Sequence, residues 1–350
     1  MQIKDLESKL YLYPGIIHIH SKFSDGTGDI DEITKAAKKA GLTWVLITDH
    51  NNIDIKEGFY NGVCVLVGEE ISPKSKNHYL AFGINNLIAP SDTAGSYIEA
   101  VRAQGGFGFV AHPDESDSRN NKAHPIKWLD KSLDVDGIEI WNWFSDWADN
   151  YDEGNIFKIA YAYFFRHKLI KGPHRATLNW WDELNLKNEK IIPAIGGADA
   201  HALKISKYII PLKIFPYESL FKTLNNIIIT DNPLTDNFEK NKEIILHSIK
   251  CGNNIILNRR YSKSGQYPQF EILNGFEKAY CGQTINLNEN TYLNIKLFQK
   301  ADIKVFHNGE EIYHTKANQQ TLKLEKTGKY RFEAKYKNNP WIYSNLIQVK

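Results

Sequence analysis

The stretch IIHIHSKFSDGTG, Ile16–Gly28, places two histidines on alternate positions of an apolar run, with an Asp-Gly turn five residues further on. In a β-strand, side chains two apart share a face, so His18 and His20 would stand side by side while Ile17 and Ile19 face the other way. Paired imidazoles at a strand end are either accidental or half of a metal site. The rest of the chain decides between them.

The same design recurs. WVLITDH ends at His50, VCVLVGEE at Glu70, FGFVAH at His112, and IIPAIGGADAH at Asp199 and His201. Short aliphatic runs of this kind fit strands buried on both faces, as in a parallel sheet. Between them lie helix signals. DIDEITKAAKKAG offers Asp29 as N-cap, Glu32 three residues on and Gly41 past the end. Its Ile30, Ile33, Ala37 and Ala40 share one face. SYIEAVRAQGG and ATLNWWDEL read similarly. Strands alternating with helices, with polar residues at the strand ends, predict an α/β fold of parallel βα units closed into a (β/α) barrel.

The pattern changes near residue 265. TYLNIKLFQ, DIKVFHNGEEIYHT, GKYRFEAKYKN and IYSNLIQVK alternate without helical runs, and Asn308-Gly309 is a type I′ hairpin signal. The division expected is a barrel over 1–264 and a small all-β, immunoglobulin-like sandwich over 268–350, with LNRRYSKSGQYPQ as linker.

Composition narrows the functional classes. The 350 residues carry a formal net charge of +2, too little for a duplex nucleic-acid binder. No apolar run is long enough to span a bilayer, and the start lacks the apolar core of a signal peptide. Cys64, Cys251 and Cys281 are widely spaced, which suits reduced thiols; the expectation is a cytoplasmic protein.

Six of the twelve histidines end or closely follow the apolar runs: His18, His20, His50, His78, His112 and His201. Asp25, Glu70 and Asp199 share those places. Imidazole and carboxylate without thiolate suit Zn²⁺, Mn²⁺ or Fe²⁺, and nine candidate ligands predict a multinuclear site.

HIHSKFSDG, ITDHN, GEEIS with a downstream NHYL, VAHP and GGADAHA together resemble the five ordered motifs of the PHP (polymerase and histidinol phosphatase) metallohydrolases. GPHRATLNWWDEL, SIKCGNNIIL and the terminal PWIYSN are similar to the CehA/McbA-type branch. The resemblance implies a distorted (β/α)7, TIM-like barrel holding two or three divalent ions. His18, His20, Glu70 and Asp199 would hold the first ion. Glu70 would bridge to a second held by His78 and His112, and Asp25, His50 and His201 would hold a third. The family more often has an acidic residue where Ile16 or Ile17 stands, a departure that touches no ligand.

Hydroxide generated at such ions attacks phosphoesters, so the leading expectation is a phosphoesterase acting on a small organic phosphate. The same nucleophile attacks carboxyl or carbamate esters. An exonuclease for short oligonucleotides and a non-catalytic metal-binding scaffold complete the alternatives, and oligomerisation is open. Around the ligands, Arg175 could face an anion at a helix start and His174 could protonate a leaving oxygen. Lys22, Arg119 and His124 sit in strand-end loops. Six of the eight tryptophans fall between Trp128 and Trp181, and Trp141 or Trp143 could line the site mouth. Glu139 is expected to be structural or to stand behind the ligands, and Asp49 to be such a partner or a helix cap. His167, His247, His307 and His314 receive no role.

Overall fold

The structure, a computed structural model, describes residues 10–74, 76–114, 127–150, 161, 164–205, 212–213, 215–263 and 265–350. Arg119 and His124 lie outside them. Two compact units emerge: one of residues 14–178 and 194–225, the other of 1–13, 179–193 and 226–350. This grouping carries residues 226–264 with the C-terminal strands, where composition had grouped them with the N-terminal segment. The reason is pairing: the strand Asn254–Asn258 runs antiparallel to Asn339–Ser344, with Ile256 opposite Tyr343.

The first unit is built from the aliphatic runs. Its strands are β1 (Tyr11–Ile19), β2 (Trp44–Ile47), β3 (Gly58–Tyr60), β4 (Val63–Val67), β5 (Glu69–Ile71), β6 (Tyr79–Phe82), β7 (Phe107–Val110), β8 (Ile138–Asn142) and β9 (Ala194–Ala200). β2 lies beside β1 and β4, β9 beside β1 and β8, and β8 beside β7, all parallel. β6 departs from the expected pattern, running antiparallel to both β5 and β7. A parallel bridge between His50 and Glu70 adds to the circuit, whose pairings close on themselves. Ile16, Ile17, Ile19 and all of β2 are buried, as continuous apolar strands require. Gly15 is needed where it stands, because a Cβ there would lie 1.9 Å from the Trp44 ring.

Helix α1 (Ile30–Lys39) begins as read: the Asp29 carboxylate accepts from the Glu32 N–H at 3.0 Å. Ile33, Ala36, Ala37 and Ala40 are buried, and Gly41 follows with φ +69°. Helices α2 (Ala94–Ala103), α3 (Trp143–Asp149) and α4 (Arg175–Lys187) complete those used below.

In the second unit, Tyr292–His307 pairs antiparallel with Glu310–Lys323 through Asn308-Gly309, both at positive φ (53° and 85°) as a type I′ turn needs. Ile295, Ile303, Val305, Phe332 and Trp341 form part of its core. Arg331, 1% exposed, is held by Asp182 at 2.8 and 2.6 Å and by Glu333 at 2.7 Å.

Candidate metal centre

The candidate ligands gather at one end of the closed strand circuit. His18 and His20 end β1, His50 follows β2, Glu70 lies in β5, His112 follows β7, and Asp199 and His201 end β9. His78 precedes β6. Because β6 is reversed, its starting end meets the finishing ends of its neighbours, so His78 joins the same group.

The backbone bends to deliver them. His18 has φ +67°, His112 +28° and Asp199 +49°, values rare outside glycine. The register between β1 and β9 slips between Ile17 and Ile19. Strict alternation is therefore broken at His18, yet the His18 and His20 rings still lie 5.2 Å apart, centroid to centroid.

Glu70, 1% exposed, sits in the middle. Its Oε2 lies 3.1 Å from His18 Nε2, 3.2 Å from His20 Nε2 and 3.2 Å from His50 Nδ1. Its Oε1 faces His78 Nδ1 at 2.7 Å and His112 Nε2 at 3.2 Å. Asp199 Oδ1 is 3.3 Å from His20 Nε2 and 3.6 Å from His18 Nε2. Asp25 Oδ1 approaches His201 Nε2 at 3.2 Å, and its Oδ2 lies 3.7 Å from His50 Nε2. All nine candidate ligands are thus brought together. Among the described residues they form overlapping groups, including His20–Asp25–His50–His201 and His18–Glu70–His112, whose donor atoms lie within 4.8 Å of one another.

Surrounding acceptors indicate which ring nitrogen four of the six histidines present. His18 Nδ1–H donates to Glu139 Oε1 at 2.8 Å, leaving Nε2 toward Glu70. His201 Nδ1–H donates to the Asp199 carbonyl at 3.0 Å. His78 is reversed, its Nε2–H donating to the Pro73 carbonyl at 3.1 Å. Ser72 Oγ–H is engaged by the Glu70 carbonyl at 3.0 Å, so His50 Nδ1–H donates to Ser72 Oγ at 2.6 Å. That leaves His50 Nε2 for the Asp25 side. Such outer partners fix tautomer and ring orientation.

Behind the ligands, Asp49 is buried and accepts from Ser21 N–H (2.7 Å), Ser21 Oγ–H (2.6 Å) and Ser24 Oγ–H (2.5 Å), which shapes the loop carrying Asp25. Tyr217 O–H donates to the His20 carbonyl at 2.6 Å and accepts from Gly28 N–H at 3.2 Å. Gly197 is required, because a Cβ there would stand 1.6 Å from Glu139 Oε1.

The electrostatics are those of a cation site. Burial opposes charge on His18, and the carboxylates of Glu139, Asp199 and Glu70 outweigh it, raising its pKa. His201 is lifted to about 9 against burial by Asp199 and Asp25. Burial would raise Glu70 and Asp199, but the surrounding imidazoles hold both well below the usual carboxylate range. His20 Nε2 is buried without an aligned hydrogen-bond partner, though two carboxylate oxygens lie within 3.3 Å. Such an orientation suits a cation among the three atoms. With imidazole and carboxylate as donors, the residues fit divalent metal ions.

His174 lines a narrow cleft of about 20 Å³, room for about one water, together with His112, Glu139, Trp141 and Asp146. Its Nε2–H donates to Asp149 Oδ2 at 2.8 Å, a bond that raises its pKa despite burial. Arg175 opens α4 and is exposed. Lys22 is exposed, 3.8 Å from Asp29. Both tryptophans expected at the mouth are 1% exposed and belong to the core; Trp141 also reaches the cleft wall and donates to Asp146 at 3.0 Å. The half-buried Phe144 lies beside His201, ring to ring at 5.8 Å, with Trp147 stacked on it, and sequence reading missed both. Their i, i+3 spacing on a helix starting at the Asn142 cap was the available signal.

Residues 17–109 match the PHP domain family, and the chain carries a PHP domain. It is 30% identical over 186 residues to the uncharacterised protein MJ1587 of Methanocaldococcus jannaschii, covering 48% of this chain and 98% of that one. The two chains belong to one family. A solved two-domain protein of Bacteroides vulgatus, described as containing a predicted PHP-like metal-dependent phosphoesterase, is similar over 99% of this chain and 98% of that one, with 13% identity and a TM-score of 0.45. PsfC of Pseudomonas syringae is similar over 67% of this chain and 88% of its own, at 12% identity and a TM-score of 0.40.

Proposed function

We propose that the protein is a metal-dependent phosphoesterase that hydrolyses a small organic phosphate. The supporting observation is the division of Glu70: one carboxylate oxygen faces His18, His20 and His50, the other His78 and His112. A carboxylate shared in this way suits two neighbouring divalent ions, drawn from zinc, manganese or iron. Asp25, His201 and His50 Nε2 supply donors for a third. The strand circuit is then a distorted (β/α)7 barrel with one strand reversed.

Divalent ions held there supply Lewis acidity toward a phosphoryl oxygen and lower the pKa of a water. The chain's own residues do the rest. Glu139 fixes the His18 ring, and Asp49 and Tyr217 hold the loop that carries Asp25. His174, whose pKa the Asp149 hydrogen bond raises, lines the same cleft as His112 and is the group assigned to give a proton to a leaving oxygen. Arg175, at the start of α4, offers charge to the distal oxygens.

Hydrolysis of p-nitrophenyl phosphate, bis-p-nitrophenyl phosphate and p-nitrophenyl acetate by protein supplied with each metal, with and without chelator, tests the reading. Chelator-sensitive release from a phosphate ester is the expected result. Release from the acetate alone would transfer the protein to the carboxyl or carbamate ester hydrolases.

A further inference from the structure

Asn142 closes β8 and caps α3, and it is 6% exposed. Three residues separate it from Glu139, so strict alternation would put the two on opposite faces of the strand. The register against β9 removes that difference. Glu139 stands opposite Ile195 and Trp141 opposite Gly196, so β8 spends two residues where β9 spends one. An extra residue of this kind re-aims the side chains that follow it. Asn142 is turned to the side of Glu139, and its Nδ2–H donates to Glu139 Oε2 at 3.1 Å.

The helix orients the amide. Asn142 Oδ1 accepts from the Ser145 N–H at 2.8 Å, which directs the NH₂ group toward the acids. Its second acceptor is Asp199 Oδ2, at 3.4 Å. The other oxygen of that carboxylate, Oδ1, is the one that lies against His18, His20 and His201. Glu139 is divided in the same manner. Its Oε1 accepts from His18, while Oε2 accepts from the His112 N–H as well as from Asn142. One neutral amide thus joins two buried carboxylates, each of which has its other oxygen against a candidate ligand ring. It satisfies both acids without adding a charge to the place where ions would sit.

Resting on the metal centre that the phosphoesterase reading requires, we propose that Asn142 is a positioning residue for that centre. Its amide aims Asp199 Oδ1 at the ion and steadies Glu139, which in turn holds the His18 ring. Asn142 acts through these acids and does not itself offer a donor to the ion. A residue that only caps α3 would matter to stability and leave ion binding alone. Asn142→Ser and Asn142→Thr separate the two roles, because each keeps a capping oxygen and gives up the NH₂ group. Asn142→Ala removes both.

The test is made on the full chain by competition for Zn²⁺ with a chelator of known affinity. The visible spectrum of the Co²⁺-loaded protein is recorded beside it, since its bands follow the geometry of the ligands. Asn142→Ser and Asn142→Thr should each weaken Zn²⁺ binding by about tenfold to a hundredfold and shift the Co²⁺ bands. Asn142→Ala should weaken binding as much, and its thermal unfolding midpoint without metal should fall further than theirs. Either hydroxyl variant suffices if the other does not fold. Parent-like affinity and spectrum in the hydroxyl variants overturn the proposal and leave Asn142 a helix cap. Failure of the parent protein itself to bind Zn²⁺ or Co²⁺ overturns the metal-centre reading instead.

Discussion

Glu139 holds the imidazole of His18 with one carboxylate oxygen (2.8 Å) and the backbone N–H of His112 with the other (2.7 Å). One buried carboxylate on β8 thus fixes two candidate ligands that are 94 residues apart in the chain (112 − 18 = 94). The candidate metal centre leans on this group, although it is not one of the nine candidate ligands.

Glu139→Gln keeps the shape but gives up one of the two acceptors. Metal affinity should fall by about 10- to 100-fold, measured by competition with a chelator of known affinity. Gly197→Ala should act the same way from the opposite side, since its methyl would occupy the position of Glu139 Oε1. Unchanged affinity in both variants would show that Glu139 does not orient the site.

His20→Ala and Asp199→Ala each remove a donor from the group around Glu70. Turnover should fall by at least about 100-fold while far-ultraviolet circular dichroism is retained, because the two side chains serve the site and not the apolar core. Full activity in both would remove the proposed site.

Arg175→Ala should raise KM for a phosphorylated substrate several-fold more than for a neutral ester. Steady-state kinetics on the two substrates decide it, and equal effects would strip Arg175 of its assigned contact.

Asp146 gives a pH signature apart from the ligands. Burial lifts its carboxyl to about 6, against the N–H donors of Lys171, Gly172 and Trp141 that favour its charged form. The folded chain therefore keeps a proton that the unfolded chain has lost between about pH 4 and pH 6, so this contribution to stability is full below the window and lost as pH rises through it. Two pKa units correspond to roughly 3 kcal/mol as an upper figure. Urea unfolding at pH 4 and pH 7 should show a smaller loss on raising the pH in Asp146→Asn than in the parent protein. Equal losses would contradict the assignment.

Much of this site was legible because its residues end apolar runs. His20, His50, His112 and His201 mark strand ends in the one-dimensional pattern, and burial of Ile16, Ile17 and Ile19 follows from their composition. The alternation argument at His18 reached the right pair of rings by a route the backbone does not follow, since a left-handed residue and a register slip intervene. The reversal of β6 was hidden, because Tyr79–Phe82 is as apolar as a parallel strand would be. Ring tautomers could not be read either: they depend on Ser72, the Pro73 carbonyl and Glu139, whose roles arise from tertiary approach. The tryptophans misled for a related reason. Trp141 and Trp143 caught attention by type, but both are core residues, and position on α3 places Phe144 beside His201. The hairpin at Asn308-Gly309 was plain, because only residues tolerant of positive φ fit that turn.

The central claim is that Glu70 sits between two ion-binding places. The most direct measurement is metal content per chain after equilibration with Zn²⁺ or Mn²⁺ and removal of excess, for the parent protein and for Glu70→Gln. At least two equivalents in the parent, with a loss of one or more in the variant, is the expected result. Fewer than one equivalent in the parent, or the same count in both proteins, would contradict the account.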